Sequence, residues 1–330
     1  MKNASYEEMT QQFSTFGDKL LQHTDVLSSI QNDKIFKPIT VQIAPTDLCD
    51  LKCEYCSVTN RNTKLFIPFE VAQQGVRDFA SLGAKSIEIT GGGNPLLYPQ
   101  INELIAVAHE CGLEIGVITN SFKPNKYLNQ KSLDSIKWIR VSLSVLDFNE
   151  EKEFDLSGIH AGKLGLSYII NRKTTERMIQ RIAEIAQTNN VKFVRLAPDC
   201  LGDYSLQIKK DWDAIIAKYN IDGKMFIKEI GDNYHAFAAG CYVGLVRPYW
   251  TSEGVYICSS HVLETRKYES AWKMCDAVDI LKFYSDANQR YASGKTPYDI
   301  DIKKCFHCYY FNNNKLLHTV ATELPDKNFA

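Results

Sequence analysis

The chain has 330 residues, 45% of them apolar and 23% charged, and a formal net charge of −1. This length suits one large domain plus a smaller one, and the charge balance argues against a generic polyanion-binding surface, although a local patch for nucleic acid stays open. No stretch approaches the about 18 apolar residues of a membrane-spanning helix, and the opening MKNASYEEMTQQF has no apolar core behind a basic start, so neither a membrane span nor a secretory signal is expected.

Ten cysteines without such a signal read as metal ligands and buried thiols rather than disulfides, in a reducing, oxygen-poor cytoplasm. Residues 1–37 read as a helical extension, with Met9, Phe13, Phe16 and Leu20 at helical spacing, then Leu27 and Ile30. A helix packed on the outside of the main domain is expected there. From Pro38 strands and helices alternate. Strands are expected at Ile39–Ala44, Ser86–Thr90, Leu113–Thr119, Trp138–Ser144, Leu166–Ile170 and Val191–Leu196. Helices are expected from Pro68 to Leu82, over Pro99–Cys111, over Asn125–Ser135 and over Thr174–Thr188, with Gly83 and Gly112 as stops. Six strand–helix units over residues 38–200 imply an α/β fold with a parallel sheet and helices outside, and their number fits a partial (β/α)6 barrel of the TIM type, the form that the resemblance given below implies. Chemistry in such barrels sits at the C-terminal ends of the strands.

Directly after the first strand comes Cys49-Asp50-Leu51-Lys52-Cys53-Glu54-Tyr55-Cys56. Three thiolates on so short a loop can converge on one inorganic centre, and with a four-iron cluster they leave one iron open. A zinc knuckle is the competing reading, but it wants a fourth ligand, and residues 57–64 contain neither Cys nor His. After the second strand comes Gly91-Gly92-Gly93-Asn94-Pro95, where glycines permit close backbone approach and positive φ. The third strand ends Thr119-Asn120-Ser121, and the fourth carries Ser142 and Ser144. Capping and turn hydrogen bonds explain these polar residues equally well outside a barrel. Arg195, near the end of the sixth strand, faces either the cavity or a helix dipole, and either holds a substrate oxyanion or a cofactor carboxylate or is a salt-bridged structural arginine.

The cysteine spacing, with the aromatic Tyr55 before its last member, resembles the signature of the radical S-adenosylmethionine (SAM) superfamily. The resemblance implies a [4Fe-4S] cluster on Cys49, Cys53 and Cys56, with SAM at the open iron. Its reductive cleavage there yields a 5′-deoxyadenosyl radical that abstracts a substrate hydrogen. Gly92-Gly93-Asn94-Pro95 is similar to the family's Gly-Gly-Glu-Pro, with Asn94 in place of the Glu. Tyr55, Gly92, Gly93, Asn94, Asn120 and Ser142 are then the implied SAM-binding positions. Ser144 stands where family members often have Asp.

Beyond Pro198 the strand–helix rhythm stops, and residues 201–330 read as a small α+β cluster-binding domain. Cys241 and Cys258 are separated by sixteen residues, and forty-six more lead to Cys305-Phe306-His307-Cys308. A hairpin is expected over residues 249–258, with its turn at Ser252-Glu253-Gly254, and a helix over Asp276–Arg290. The segment from Arg247 to Trp250 either meets the substrate or packs. Cys111, Cys200 and Cys275 lie outside the pattern and read as buried thiols. Two cysteines around a hairpin, then a helix, then a close pair resemble the Twitch domain, the shortened SPASM extension of radical SAM enzymes. The spacing is similar to that of aminocyclitol dehydrogenases that oxidise 2-deoxy-scyllo-inosamine. This implies a second, auxiliary [4Fe-4S] cluster on Cys241, Cys258, Cys305 and Cys308, with a structural zinc as the alternative.

A fully ligated second cluster suits electron transfer, which favours oxidation of a small-molecule or sugar-like substrate. The alternatives are modification or isomerisation of a nucleobase or nucleoside, as with modified thymidine in viral DNA, and peptide modification. An external electron donor such as flavodoxin or ferredoxin is implied. No catalytic acid or base is singled out.

Overall fold

The computed structural model describes residues 9, 13, 17–199, 201, 206–220, 222–228, 240–302, 305 and 308–322. Strand β1 (Thr40–Ile43) leads through the cysteine loop to helix α1 (Phe69–Ser81). Then follow β2 (Ser86–Ile89), α2 (Ile101–Glu110), β3 (Glu114–Thr119), α3 (Gln130–Ser135), β4 (Ile136–Ser142), β5 (Leu164–Ile170), α4 (Glu176–Thr188) and β6 (Phe193–Pro198). The six expected strands are therefore present, and one further unit follows: α5 (Leu206–Tyr219) and β7 (Met225–Ile227), parallel to β6. The sequence reading missed it because α5 is only weakly amphipathic and β7 has three residues. The hairpin β8 (Tyr249–Thr251) and β9 (Gly254–Tyr256), strand β10 (Lys273–Cys275) and helices α6 (Ile280–Ala292) and α7 (Phe311–Ala321) follow, and short helical turns over Gly17–Leu20, Thr24–Ser28, Ser29–Asp33 and Val243–Val246 lie outside this numbering.

Among the described residues ten strands form one sheet, in the order β10-β9-β8-β1-β2-β3-β4-β5-β6-β7. β1 to β7 are mutually parallel, and β8 lies parallel to β1, with Gln42 opposite Tyr249. The C-terminal hairpin thus covers an edge of the barrel sheet that would otherwise be open.

Alternation along the strands separates two faces. Val41, Ile43, Ile87, Ile89, Ile115, Val117, Ile139, Val141, Leu164, Leu166, Val194 and Leu196 are at most 2% exposed and build the core beneath the helices. The helices end where a left-handed residue is needed: Gly83 follows α1 with φ +101° and Gly112 follows α2 with φ +75°. Thr175 caps α4 by accepting from the Met178 amide at 3.2 Å.

The opposite face carries Gln42, Glu88, Trp138, Arg140, Ser142, Ser167 and Arg195. Parallel sheets are usually apolar on both faces, so this inner face departs from what packing alone selects. Register fixes its rows: Arg140 lies beside Gly165 and Phe193, while Ser142, Ser167, Arg195 and Phe226 form the next row. Met9 and Phe13 reach this face at its foot, whereas Leu20, Val26 and Ile30 are buried in the main core, where their segment packs against α7. Met9 packs with Phe193 and Phe226, and the Phe13 ring stacks on Phe193 at 4.2 Å. Phe193 is the first residue of β6 and offers an apolar surface that the polar rows above it do not.

Candidate active site and candidate cluster sites

The cysteine loop leaves the C-terminal end of β1, and each neighbouring strand end contributes to its surroundings. Cys49, Cys53 and Cys56 are free thiols, each half-buried. The Cys49 sulfur lies 3.9 Å from the Asn120 carboxamide oxygen, beyond the end of β3. Asn120 in turn donates to Asp50 at 2.9 Å, which anchors the loop to that strand end. The Arg61 guanidinium donates to the Cys56 sulfur at 3.5 Å and to the Asp47 and Val58 carbonyls at 2.9 Å. Burial raises the pKa of Cys49, and pushes Cys53 up to about 11. The Tyr55 hydroxyl is buried beside Cys53 and Ser144 without a well-formed hydrogen bond. Burial first, then Cys53, holds its pKa well above the usual phenol range. Ser142 and Ser144 share a hydrogen bond of 2.8 Å.

The glycine turn after β2 is stitched to the start of the cysteine loop. Gly93 donates to the Thr46 carbonyl at 2.9 Å and Asn94 to that of Leu48 at 2.8 Å. A Cβ on Gly92 would stand 2.0 Å from an Asp47 carboxylate oxygen, and one on Gly93 1.9 Å from the Leu48 carbonyl oxygen. Close approach therefore accounts for both glycines. Positive φ does not, since neither adopts it. Asn94 is completely buried. Its carboxamide oxygen accepts from Thr119 at 2.7 Å and from the Leu96 amide at 3.2 Å, capping a single 3-10 turn. The side chain that stands at the family's Glu position is thus engaged inside the protein.

Sequence reasoning missed the groups that tie this loop to the C-terminal segment. Asp47, fully buried, accepts from Ser252 at 2.5 Å and from Tyr268 at 2.8 Å. Burial raises the Asp47 pKa, against the pull of these two hydroxyls. Arg266, with φ +58°, donates to the backbone carbonyls of Cys56 (2.9 and 3.1 Å) and Glu54. Arg61, five residues after Cys56, has a sequence signal only as a cation close to the thiols, not as a ligand. Ser252, Arg266 and Tyr268 carry no local signal.

The second cysteine set converges on one cavity. Cys241, Cys258, Cys305 and Cys308 all line it, with Ile257, Ser260, Tyr310 and Asn314 among the remaining walls. Asn314, on α7, shapes the approach to Cys241 by accepting from the Tyr242 amide at 2.7 Å and donating to the Gly240 carbonyl. The Tyr298 hydroxyl donates to the Cys241 carbonyl. Burial pushes the Cys241 thiol up to about 11 and the Cys258 thiol up to about 12. A hydrogen bond between Cys305 and Cys308 raises the first and lowers the second. Cys111 and Cys275 are half-buried rather than buried, because each sits at the end of its element. Cys200, Phe306 and His307 lie outside the described residues. Tyr249 and Trp250 are packed, at 3% and 0% exposure, and Arg247 pairs with Glu88 at 3.3 Å.

Among the described residues no three His, Cys, Asp or Glu side chains converge tightly enough to hold a single metal ion. A four-iron cluster makes a looser demand, since each thiolate binds a different iron. All-sulfur donor sets, three thiols at the barrel mouth and four lining one cavity, fit iron–sulfur clusters. No described helix is long and apolar enough to cross a membrane.

A mostly parallel α/β sheet with thiols gathered at its C-terminal mouth is the architecture of a partial barrel. Residues 43–197, the barrel part of the chain, match the family model of the Radical SAM superfamily, whose members use a [4Fe-4S] cluster and SAM. The GTP 3′,8-cyclase of Staphylococcus haemolyticus (strain JCSC1435) is 35% identical over 127 residues, 35% of this chain and 37% of that protein. The match thus spans little more than a third of that relative. The GTP 3′,8-cyclase of Staphylococcus carnosus (strain TM300) is 25% identical, covering 69% of this chain and 76% of that one. Among solved structures, Streptococcus suis SuiB bound to precursor peptide SuiA aligns with TM-score 0.55 and 16% identity, over 80% of this chain and 69% of that chain. Native anSMEcpe with bound AdoMet and Cp18Cys peptide aligns with TM-score 0.51 and 14% identity, over 84% and 88%. At these identities the likeness is one of fold.

Proposed function

We propose that this enzyme oxidises a small molecule bound against the inner face of the sheet. Cys49, Cys53 and Cys56 would hold the first cluster, and Cys241, Cys258, Cys305 and Cys308 the second. With SAM at the first cluster, the chemistry supplied is one-electron cleavage of the sulfonium bond, giving a 5′-deoxyadenosyl radical that takes a hydrogen atom from the substrate. The chain's own groups supply position. Asn120 and Asp50 fix the loop at its β3 side, Arg61 and Arg266 fix it at Cys56, and the Gly92–Asn94 turn offers backbone at the loop's entry. Ser142 and Ser144 present hydroxyls at the end of β4. The observation that carries the oxidative reading is the second set: four thiols lining one cavity would ligate every iron of a four-iron cluster and leave no coordination position for a substrate, so electron uptake is the contribution left to that site. An external donor, of the flavodoxin or ferredoxin kind, would supply the first electron.

A nucleotide substrate is the second reading, favoured by the similarity to GTP 3′,8-cyclases. Anaerobic reconstitution followed by assay for 5′-deoxyadenosine tests the proposal. The wild type is expected to form it, and Cys53→Ala to form none. Cleavage retained by Cys53→Ala would contradict the assignment of the first site.

A further inference from the structure

Away from the cysteine loop, the inner face gathers charge of one sign. Arg140, Arg195 and Arg247 project from it or onto it, with Glu88 as the carboxylate they share. Glu88 is already committed: it pairs with Arg247 at 3.3 Å and accepts from Gln42 at 2.7 Å. Among the described residues neither Arg140 nor Arg195 has a hydrogen bond or an ion pair, and the Nε of each is buried without a partner. Arg140 rests over the Trp138 ring at 5.9 Å, which packs its plane but satisfies none of its N–H groups. Both residues are half-buried, so neither is sealed off from solvent.

Desolvated guanidiniums left without acceptors are costly, since a buried charge is normally paired and hydrogen-bonded. Burial first, and the neighbouring Arg195 second, press the Arg140 pKa down, so the folded chain works against its own charge here. An arrangement of this kind is relieved by an incoming anion. The guanidinium fork matches the planar oxygens of a carboxylate or the face of a phosphate. Register places Arg195 beside Ser167, which is itself beside Ser142, so two hydroxyls follow the fork along one side of its row, with Phe226 on the other side.

We infer that Arg140 and Arg195 form a seat for an anionic group of the substrate, a phosphate or a carboxylate, on the inner face below the cysteine loop. The inference rests on the reading of that face as the substrate side, and it narrows the substrate to an anion.

The test uses the full chain, reconstituted anaerobically and saturated with SAM. It is titrated calorimetrically with inorganic pyrophosphate and, separately, with succinate. Saturable binding of one probe is expected, pyrophosphate marking a phosphate-bearing substrate and succinate a carboxylate. Arg140→Gln and Arg195→Gln, with iron content and circular dichroism matching wild type, should each weaken that binding at least tenfold. Wild-type affinity in both variants, or no saturable binding of either probe, overturns the seat. Should the variants fail to fold, the wild type is treated with phenylglyoxal and mapped by mass spectrometry. The bound probe should protect Arg140 and Arg195, and unchanged modification would overturn the seat equally. Formation of 5′-deoxyadenosine by the wild type reports separately on the radical reading. A protein that cleaves SAM yet binds neither anion loses only the seat.

Discussion

At the scale of single residues, Gly93 shows how little room the mouth of the barrel has. A methyl group there would meet a backbone carbonyl at 1.9 Å, and a backbone cannot rotate away as a side chain can. Gly93→Ala is therefore expected to push Leu48, and with it Cys49, out of place, at about 3 kcal/mol as for other overpacked sites. Urea denaturation and iron per chain after reconstitution would both fall, and an alanine variant with wild-type values would remove the packing argument. Glu88 makes a different residue-scale case. Burial alone would raise its pKa, but Arg247 and then Arg140 outweigh burial and hold it below the usual carboxylate value. The stability it adds is therefore present above the unfolded-state carboxylate pKa and is lost as pH falls through the lower folded value. Glu88→Gln should cost about 3–5 kcal/mol at neutral pH, because the arginines lose their buried counter-charge. The gap to wild type should narrow on acidification below about pH 4, as Glu88 itself becomes protonated. A gap that stays constant with pH would show that the carboxylate's charge is not what matters.

At the scale of elements, the cysteine loop is held from outside its own segment. The segment that follows the hairpin delivers Arg266 to the carbonyls of Glu54 and Cys56, and Tyr268 to Asp47. Hydrogen bonds from a charged donor contribute about 1.5–3 kcal/mol. Arg266→Ala should accordingly speed iron loss to a chelator by about tenfold, one decade per about 1.4 kcal/mol. Arg266→Lys should rescue little, since an ammonium lacks the fork that reaches both carbonyls. Unchanged release from the alanine variant would mean that the loop holds itself. The same contacts mark where sequence reading stops. β1 to β6 and the cysteine loop were legible because apolar runs, glycine stops and thiol spacing are local. The pairing of Gln42 with Tyr249, and of Asp47 with Ser252, joins segments about 200 residues apart and leaves no local trace. Glu88 did leave one: a charge inside an otherwise apolar strand signals a polar inner face, and the reading took the strand for its period alone.

At the scale of the whole molecule, one continuous sheet carries both thiol sets. Cys49, Cys53 and Cys56 follow β1, and Cys258 follows β9, two strands away along the same sheet. The two sets draw on separate residues, so each should fill without the other. Cys258→Ala removes one of the four thiols lining the second cavity and leaves the barrel mouth intact. Iron counting should fall from about eight per chain to about four in this variant, while 5′-deoxyadenosine still forms. The competing metal gives a different number: a structural zinc needs its sulfurs about 2.3 Å from a single point, and would appear in the wild type as about four irons plus one zinc. That outcome would remove the second cluster, and with it the argument for a net oxidation, while leaving the first site as it stands. Loss of all iron from Cys258→Ala would instead mean that the sheet couples the two sets, through the contacts of Ser252, Arg266 and Tyr268 with the first loop.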